Sequence, residues 1–274
     1  TMKNSDPVSQ RQKKYLLAIR RNSILIQVSR ILLFVFFVGL WEISARTGLI
    51  DSFIFSSPGQ IIEKMGEMLL DHTLIDHVSI TLLETLISFA LVTVLGIGCG
   101  VLLWAFPRLS LILEPYLVVL NSLPKSALAP LLIVWLGSNM KTIVLAGISV
   151  AVFGAIMNLY TGFCETDPDK LKLIRTLGGN KKDELLKVIL PGSVPLILSV
   201  MKVNIGLSLI GIVIGEMIGS KRGLGYLIIY SSQVFQLTTM IMAIVILCVM
   251  AILLYALISL LQWSYEKKSE NQIK

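Results

Sequence analysis

Residues 164–192 read CETDPDKLKLIRTLGGNKKDELLKVILPG, a polar stretch set between two apolar spans. Asp167 can cap a helix whose first turn holds Pro168 and Asp169. Leu171, Ile174 and Leu177, then Leu185, Leu186 and Ile189, recur at helical spacing, with Lys, Asp and Glu on the other faces. Gly178-Gly179-Asn180 interrupts the pattern, which predicts two short amphipathic helices joined by a tight turn. Pro191 and Pro195 close the segment and open the next apolar span. A helix–turn–helix held at a membrane surface is suited to docking on a soluble partner.

Composition supplies the setting. Of 274 residues, 55% are hydrophobic and only 15% charged, and the mean hydropathy is +0.81. A soluble domain carries about a quarter charged residues, so the chain reads as a polytopic, all-α membrane protein. The net charge of +7 is unevenly placed: Lys3, Arg11, Lys13, Lys14, Arg20, Arg21 and Arg30 crowd the first thirty residues against Asp6 alone. That is the positive-inside signature of a cytoplasmic N-terminus. Nucleic-acid binding would interleave aromatics with those charges, and Tyr15 alone is there. Cys99, Cys164 and Cys248 lie in or beside apolar spans and form no close-spaced metal motif, so they read as small hydrophobes. The basic N-terminal part is too long for a secretory signal, and the first span is expected to stay uncleaved.

Residues 1–22 form a mobile cytoplasmic tail on this reading, 23–265 a six-span transmembrane domain and 266–274 a cytoplasmic tail. The first span begins near Ile24 or Ile31 and ends near Ala45, with Arg30 snorkelling to the inner face and Trp41 near the outer boundary. Ser56-Ser57-Pro58-Gly59 and then Gln60 to Leu70 predict a loop and a short amphipathic helix outside. His72 and His77, five apart, do not share a helical face and read as solvated loop residues rather than a metal pair. The second span covers about Thr81 to Phe106, with Glu84 as a boundary carboxylate facing water or capping the helix, and Gly96, Gly98 and Gly100 as a small-residue patch. Arg108 marks a short cytoplasmic turn.

The third span, Leu109 to Gly137, is broken by Pro115, Pro124 and Pro130, with Asn121, Ser122, Lys125 and Ser126 at the break. The fourth runs from Lys141 to about Phe163 and the fifth from about Val194 to Gly219. The fifth carries Gly211, Gly215 and Gly219 at four-residue spacing, a ridge for helix packing. Lys202, Asn204 and Glu216 lie in or near it, and an ionisable group at membrane depth faces a protein interior or a watery cavity. Lys202 and Glu216 are fourteen residues apart, about 21 Å along a helix, and cannot pair with each other. Structural ion pairing with other groups and lining of a pathway both stay open for them. Lys221 to Gly225 makes an outer loop whose two basic residues suit an acidic partner, an anionic solute or a solvated turn. The sixth span covers about Thr239 to Trp263, and Lys267 and Lys268 keep the C-terminus inside. Both ends inside require an even number of spans.

Arg175-Thr176-Leu177-Gly178, followed by Val188-Ile189-Leu190-Pro191, resembles the EAA loop of ABC importer permeases. Its pattern is Glu-Ala-Ala, three residues, Gly, nine residues, Ile, any residue, Leu-Pro. Gly178, Leu190 and Pro191 match, Val188 stands for Ile, and Lys172-Leu173-Ile174 replaces Glu-Ala-Ala, which bears on the detailed fit to an ATPase. A second resemblance is more specific: Pro124-Lys125-Ser126-Ala127-Leu128-Ala129-Pro130-Leu131 and Trp135-Leu136-Gly137 are similar to a run in permeases for sulfonates, taurine, nitrate and vitamin precursors. It continues at Met157-Asn158 and Gly162, at Glu216, which matches a family Glu, at Lys202, where relatives often have Arg, and at Gly223-Leu224-Gly225.

The resemblance implies a type I ABC importer permease with six transmembrane helices in a bacterial cytoplasmic membrane. It implies that residues 164–192 hold the coupling helix, with Asp167, Pro168, Leu171, Arg175, Leu177, Gly178, Gly179, Asn180, Lys181 and Pro191 facing or shaping the ATPase contact. Asn121, Lys125, Asn158, Lys202, Asn204 and Glu216 are the candidate pathway residues. The implied partners are a second permease copy, two ATPase subunits holding ATP and Mg, and an extracytoplasmic solute-binding protein. The sequence contains no Gly-x4-Gly-Lys-Ser/Thr loop, so no ATPase and no enzyme activity is expected of this chain itself. The expected solute is a sulfonate-like anion or a vitamin-precursor heterocycle. The rival readings are an ATP-independent channel or scaffold subunit, and a membrane-embedded enzyme, for which no cluster of Asp, His or Cys at the bilayer boundary is seen.

Overall fold

The computed structural model describes the backbone of residues 7–273 and the side chains of Gln12 and of residues 15–267. Lys3 and Asp6, and the side chains of Arg11, Lys13, Lys14 and Lys268, lie outside the described residues. Within them the chain is all helix and turn, and it divides into two units, 1–63 and 64–274.

In the first unit α1, Pro7–Arg46, is one continuous helix. The expected mobile tail is therefore helical from Pro7 on, because nothing between Pro7 and the apolar run breaks the backbone ladder. Glu42 pairs with Arg46 at 2.5 Å and accepts from the Gly59 N–H at 2.9 Å. A short turn of helix, α2 (Ser52–Phe55), is capped by Asp51, and α3 (Pro58–Leu70), which runs past the unit's last residue, Glu63, is the amphipathic helix that the sequence predicts.

In the second unit α4 (Thr73–Ala105), α7 (Met140–Cys164) and α11 (Val194–Gly219) form the packed centre. Lipid is as apolar as a leucine side chain, so close packing must hold such helices together. Small residues permit it: Ala151 and Ala155 are fully buried, and Gly96 and Gly100 on α4 lie against Ala155, Leu159 and Phe163 of α7. Gly98 has open space instead, since two residues turn it to another face. Gly211 brings α11 against α7: a Cβ there would stand 2.7 Å from Gly147 Cα. Gly215 meets Ala146 and Ile143, and Gly219 meets Ile133 of α6.

The second span starts at Thr73, eight residues before its expected position. The third is two helices, α5 (Pro107–Ser122) and α6 (Lys125–Leu136), bent by 94°. Only Pro124 stands at the break; Pro115 and Pro130 lie inside helices. Among the described residues five helices are individually long and apolar enough to cross a membrane, and counting the bent pair as one crossing makes six. The outer loop is shorter than expected. Its Leu224 and Gly225 begin a further helix, α12 (Leu224–Gln233), which leads to α13 (Leu237–Ile273).

Candidate functional site

The loop between α7 and α11 folds as two helical pieces. In α8, Pro168–Thr176, the Asp169 N–H donates to the Asp167 carboxylate at 2.9 Å. The helix stops at Gly178, whose φ of +80° suits a residue without Cβ. The N–H of Gly179 then donates to the Ile174 carbonyl at 2.9 Å, closing the helix end. Asn180 opens α9 (Lys181–Glu184) with a reciprocal capping box: it accepts from Lys182 and Asp183, and its own N–H donates to the Asp183 carboxylate at 3.0 Å. A π-helical turn, Leu185–Ile189, and the short α10 (Leu190–Gly192) carry the chain on to α11.

The two pieces are braced by a pair that sequence reading missed. Arg175 Nε donates to Glu184 Oε1 at 2.5 Å and its Nη2 to Oε2 at 3.3 Å. Glu184 is only 2% exposed. The hydrogen-bonded guanidinium holds its carboxyl below the usual carboxylate range. The Lys187 ammonium and the Asn180 N–H lower Asp183 in the same way. The signal available in the sequence was a nine-residue Arg–Glu spacing across a Gly-Gly turn, which is not a helical spacing and so escapes periodicity.

One face of this loop packs inward: Ile189 is fully buried, with Leu171, Leu185 and Leu190 against the α4–α7–α11 centre. Lys181 Nζ donates to the Ala105 carbonyl at the end of α4, at 3.3 Å. The other face presents Leu173, Leu177 and Leu186, Leu177 being 76% exposed. Pro168 stands at the first turn of α8, and Pro191 is exposed at the start of the return toward α11.

The six candidate pathway residues are spread over α5, α6, α7 and α11. Lys125 Nζ donates to Asn121 Oδ1 at 3.4 Å across the 94° bend, and Asn158 is exposed on α7. Asn204 is buried. Lys202 lies 5.7 Å from the centroid of the Tyr255 ring and, among the described residues, makes no ion pair.

Glu216 belongs to a separate buried cluster. Thr81 Oγ1 donates to it at 2.7 Å and the Gly225 N–H at 2.6 Å, while the Leu224 N–H donates to Thr81 Oγ1 at 2.8 Å. The carboxyl of Glu84 lies against that of Glu216. Glu84 is thus buried rather than a boundary group facing water, because α4 begins two turns earlier and carries it inward. His77 is likewise a helical, half-buried residue rather than a solvated loop residue; the Gly223 N–H donates to its Nδ1 at 3.0 Å. Hydrogen bonds, not ion pairs, satisfy Glu216. His77, Thr81 and Glu84 share one face of α4 at helical spacing, a pattern that start-of-helix misplacement concealed.

Residues 92–267 match the family described as binding-protein-dependent transport system inner membrane component. Over 219 residues the chain is 31% identical to a probable ABC transporter permease protein of Haemophilus influenzae, covering 79% of this chain and 87% of that one. It is 28% identical over 225 residues to the putative aliphatic sulfonates transport permease protein SsuC of Bacillus subtilis, covering 82% of each. A chain from inward-facing structures of the MetNI methionine ABC transporter superposes with a TM-score of 0.64 at 18% identity, covering 72% of this chain and 97% of that chain. That likeness establishes the fold.

Proposed function

The chain belongs to the family of binding-protein-dependent transport system inner membrane components, the multi-pass permeases of ABC importers, and from that premise we propose that it is driven by a separate ATPase through residues 164–192. The observation that carries the reading is the braced loop, which fixes two short helices with Arg175–Glu184 and holds Leu173, Leu177 and Leu186 out to solvent. Exposed apolar side chains on a rigid, charged loop suit the cleft of a soluble partner.

Two ATPase subunits, holding ATP and Mg, engage the loops of two permease copies in a homodimer. A solute-binding protein delivers a small organic solute on the opposite face, a sulfonate-like anion or a vitamin-precursor heterocycle. Both termini are cytoplasmic, as the basic N-terminal residues and the loop's six Lys or Arg favour. The chain itself does no ATP chemistry. ATP and loaded binding protein each favour one state of the cavity by their differential affinity, and together they open it outward. On this reading Asn121, Lys125, Asn158, Lys202, Asn204 and Glu216 belong to the translocation pathway, and Gly211, Gly215 and Gly219 to helix packing.

The test is purification from the native membrane in mild detergent, with mass spectrometry of the accompanying proteins before and after crosslinking from a cysteine at Leu177. A stoichiometric ATPase crosslinked at that position is expected. A chain that emerges alone in both cases overturns coupling and restores the channel or scaffold reading.

A further inference from the structure

Lys202 stands eight residues into α11, so its Cα lies about 12 Å along a helix about 39 Å long. That is about 7 Å short of the helix middle, inside a hydrocarbon core about 30 Å thick. An ammonium at this depth is costly unless it is compensated, and among the described residues no carboxylate pairs with it. The face of the Tyr255 ring on α13 lies beside it, 5.7 Å from Nζ to centroid. A ring face recovers only part of what an ammonium loses on leaving water for hydrocarbon. Within one copy of the chain the ammonium therefore has no countercharge among the described residues.

Beside Lys202 is a cavity of about 320 Å³ between α11 and α13. Ile205, Leu209, Ile252 and Leu254 make its walls apolar. Gly206 keeps it open: no atom lies within 4 Å of where its Cβ would stand. The volume is at the lower end of small-molecule pockets.

We propose that this groove holds the solute in transit, and that the solute is a small organic anion with an apolar body, its sulfonate or carboxylate group on Lys202 and its body against Ile205, Leu209 and Ile252. The inference rests on the transport reading and narrows its solute class. Charge complementarity calls for the anion, and the apolar walls call for the body. Depth selects solute over lipid, since phospholipid phosphates lie outside the hydrocarbon core.

The experiment uses the full chain with its ATPase in phosphatidylcholine nanodiscs, with 1-butanesulfonate as probe and neutral butane-1-sulfonamide as control, read by saturation-transfer NMR. Butanesulfonate binds saturably, and the sulfonamide and the Lys202→Gln variant each bind about tenfold more weakly or worse, the loss expected for one charge-assisted contact. Lys202→Arg retains binding, and Gly206→Leu abolishes it by filling the groove with Lys202 intact. Equal binding of sulfonate and sulfonamide, or undiminished binding to Lys202→Gln, overturns the proposal. Displacement of the sulfonate by added phosphatidylglycerol also overturns it, because the groove is then a lipid site. ATPase retention and ATP hydrolysis in the same discs report separately on the transport reading: loss of the ATPase with Lys202-dependent binding intact refutes coupling and leaves the anion site standing.

Discussion

Glu216 shows how an acidic side chain can sit fully buried in a helix of mean character as apolar as α11. Its oxygens accept from the Thr81 hydroxyl and the Gly225 N–H, so the carboxyl joins α4, α11 and the first turn of α12. Glu216→Leu orphans both donors, at about 1–3 kcal/mol for each group left unsatisfied. Thermal unfolding in detergent is expected to show a clear fall in Tm for Glu216→Leu and a smaller one for Glu216→Gln, which keeps an acceptor. Equal Tm values for the two would detach the cluster from stability.

Glu184 is the other decisive carboxyl, and its consequence is pH dependence. Its folded-state pKa is depressed by Arg175, so the brace is complete above the ordinary carboxylate range and is lost as pH falls through the depressed folded value. Protection of the amides across residues 168–189, taken as exchange relative to the intrinsic rate at each pH, is expected to fall on acidification. Glu184→Gln should show low protection at both pH values, with the pH difference in protection removed. A pH difference that survives in Glu184→Gln assigns the effect to Asp183 and Lys187 instead.

The helix–turn–helix is the element that was most legible, and particular residues say why. Asp167, Pro168, Gly178 and Asn180 act through their own backbone neighbours, within two to three residues, so their roles follow from local chemistry. Asp167→Ala removes a cap worth about 1 kcal/mol, and Gly178→Ala forces a Cβ into the left-handed region at about 1–2 kcal/mol. Both variants are expected to lower ATP-coupled uptake while leaving the permease in the membrane; uptake equal to the parent's would show that loop geometry does not limit coupling. Less legible was the bend between α5 and α6. Three prolines offered three breaks, and Pro115 and Pro130 nevertheless remain in helices while the chain turns at Pro124. There Lys125 hydrogen-bonds Asn121 across the turn. Which proline bends a membrane chain depends on what can satisfy the freed carbonyl, and that partner is not encoded at the proline itself.

At the scale of the molecule, glycine position decides how α7 and α11 meet. Gly211→Ala places a Cβ 2.7 Å from Gly147 Cα, an overpacking of the kind that costs about 1–3 kcal/mol. Gly98→Ala has open space and replaces a poor helix former, gaining up to about 1 kcal/mol. Opposite shifts in Tm are expected for the two, and a parallel shift would show that the α7–α11 contact is not limiting. The four-residue spacing of Gly211, Gly215 and Gly219 could be read directly, because one helical face is a one-dimensional property of the chain.

The sequence by itself determined the membrane class, the spans α7, α11 and α13, the polar loop with its caps and turn, and the resemblance to importer permeases. Each rests on residues that act within a few positions of one another: hydropathy runs, periodicity, capping and glycine turns. Only the tertiary structure decided that Glu84 meets Glu216, that His77 holds Gly223, that Arg175 reaches Glu184, and that Lys202, without a carboxylate partner among the described residues, stands beside an open groove. Those pairings join residues that periodicity does not relate, most of them on separate helices, and a buried polar group takes whichever partner packing brings to it.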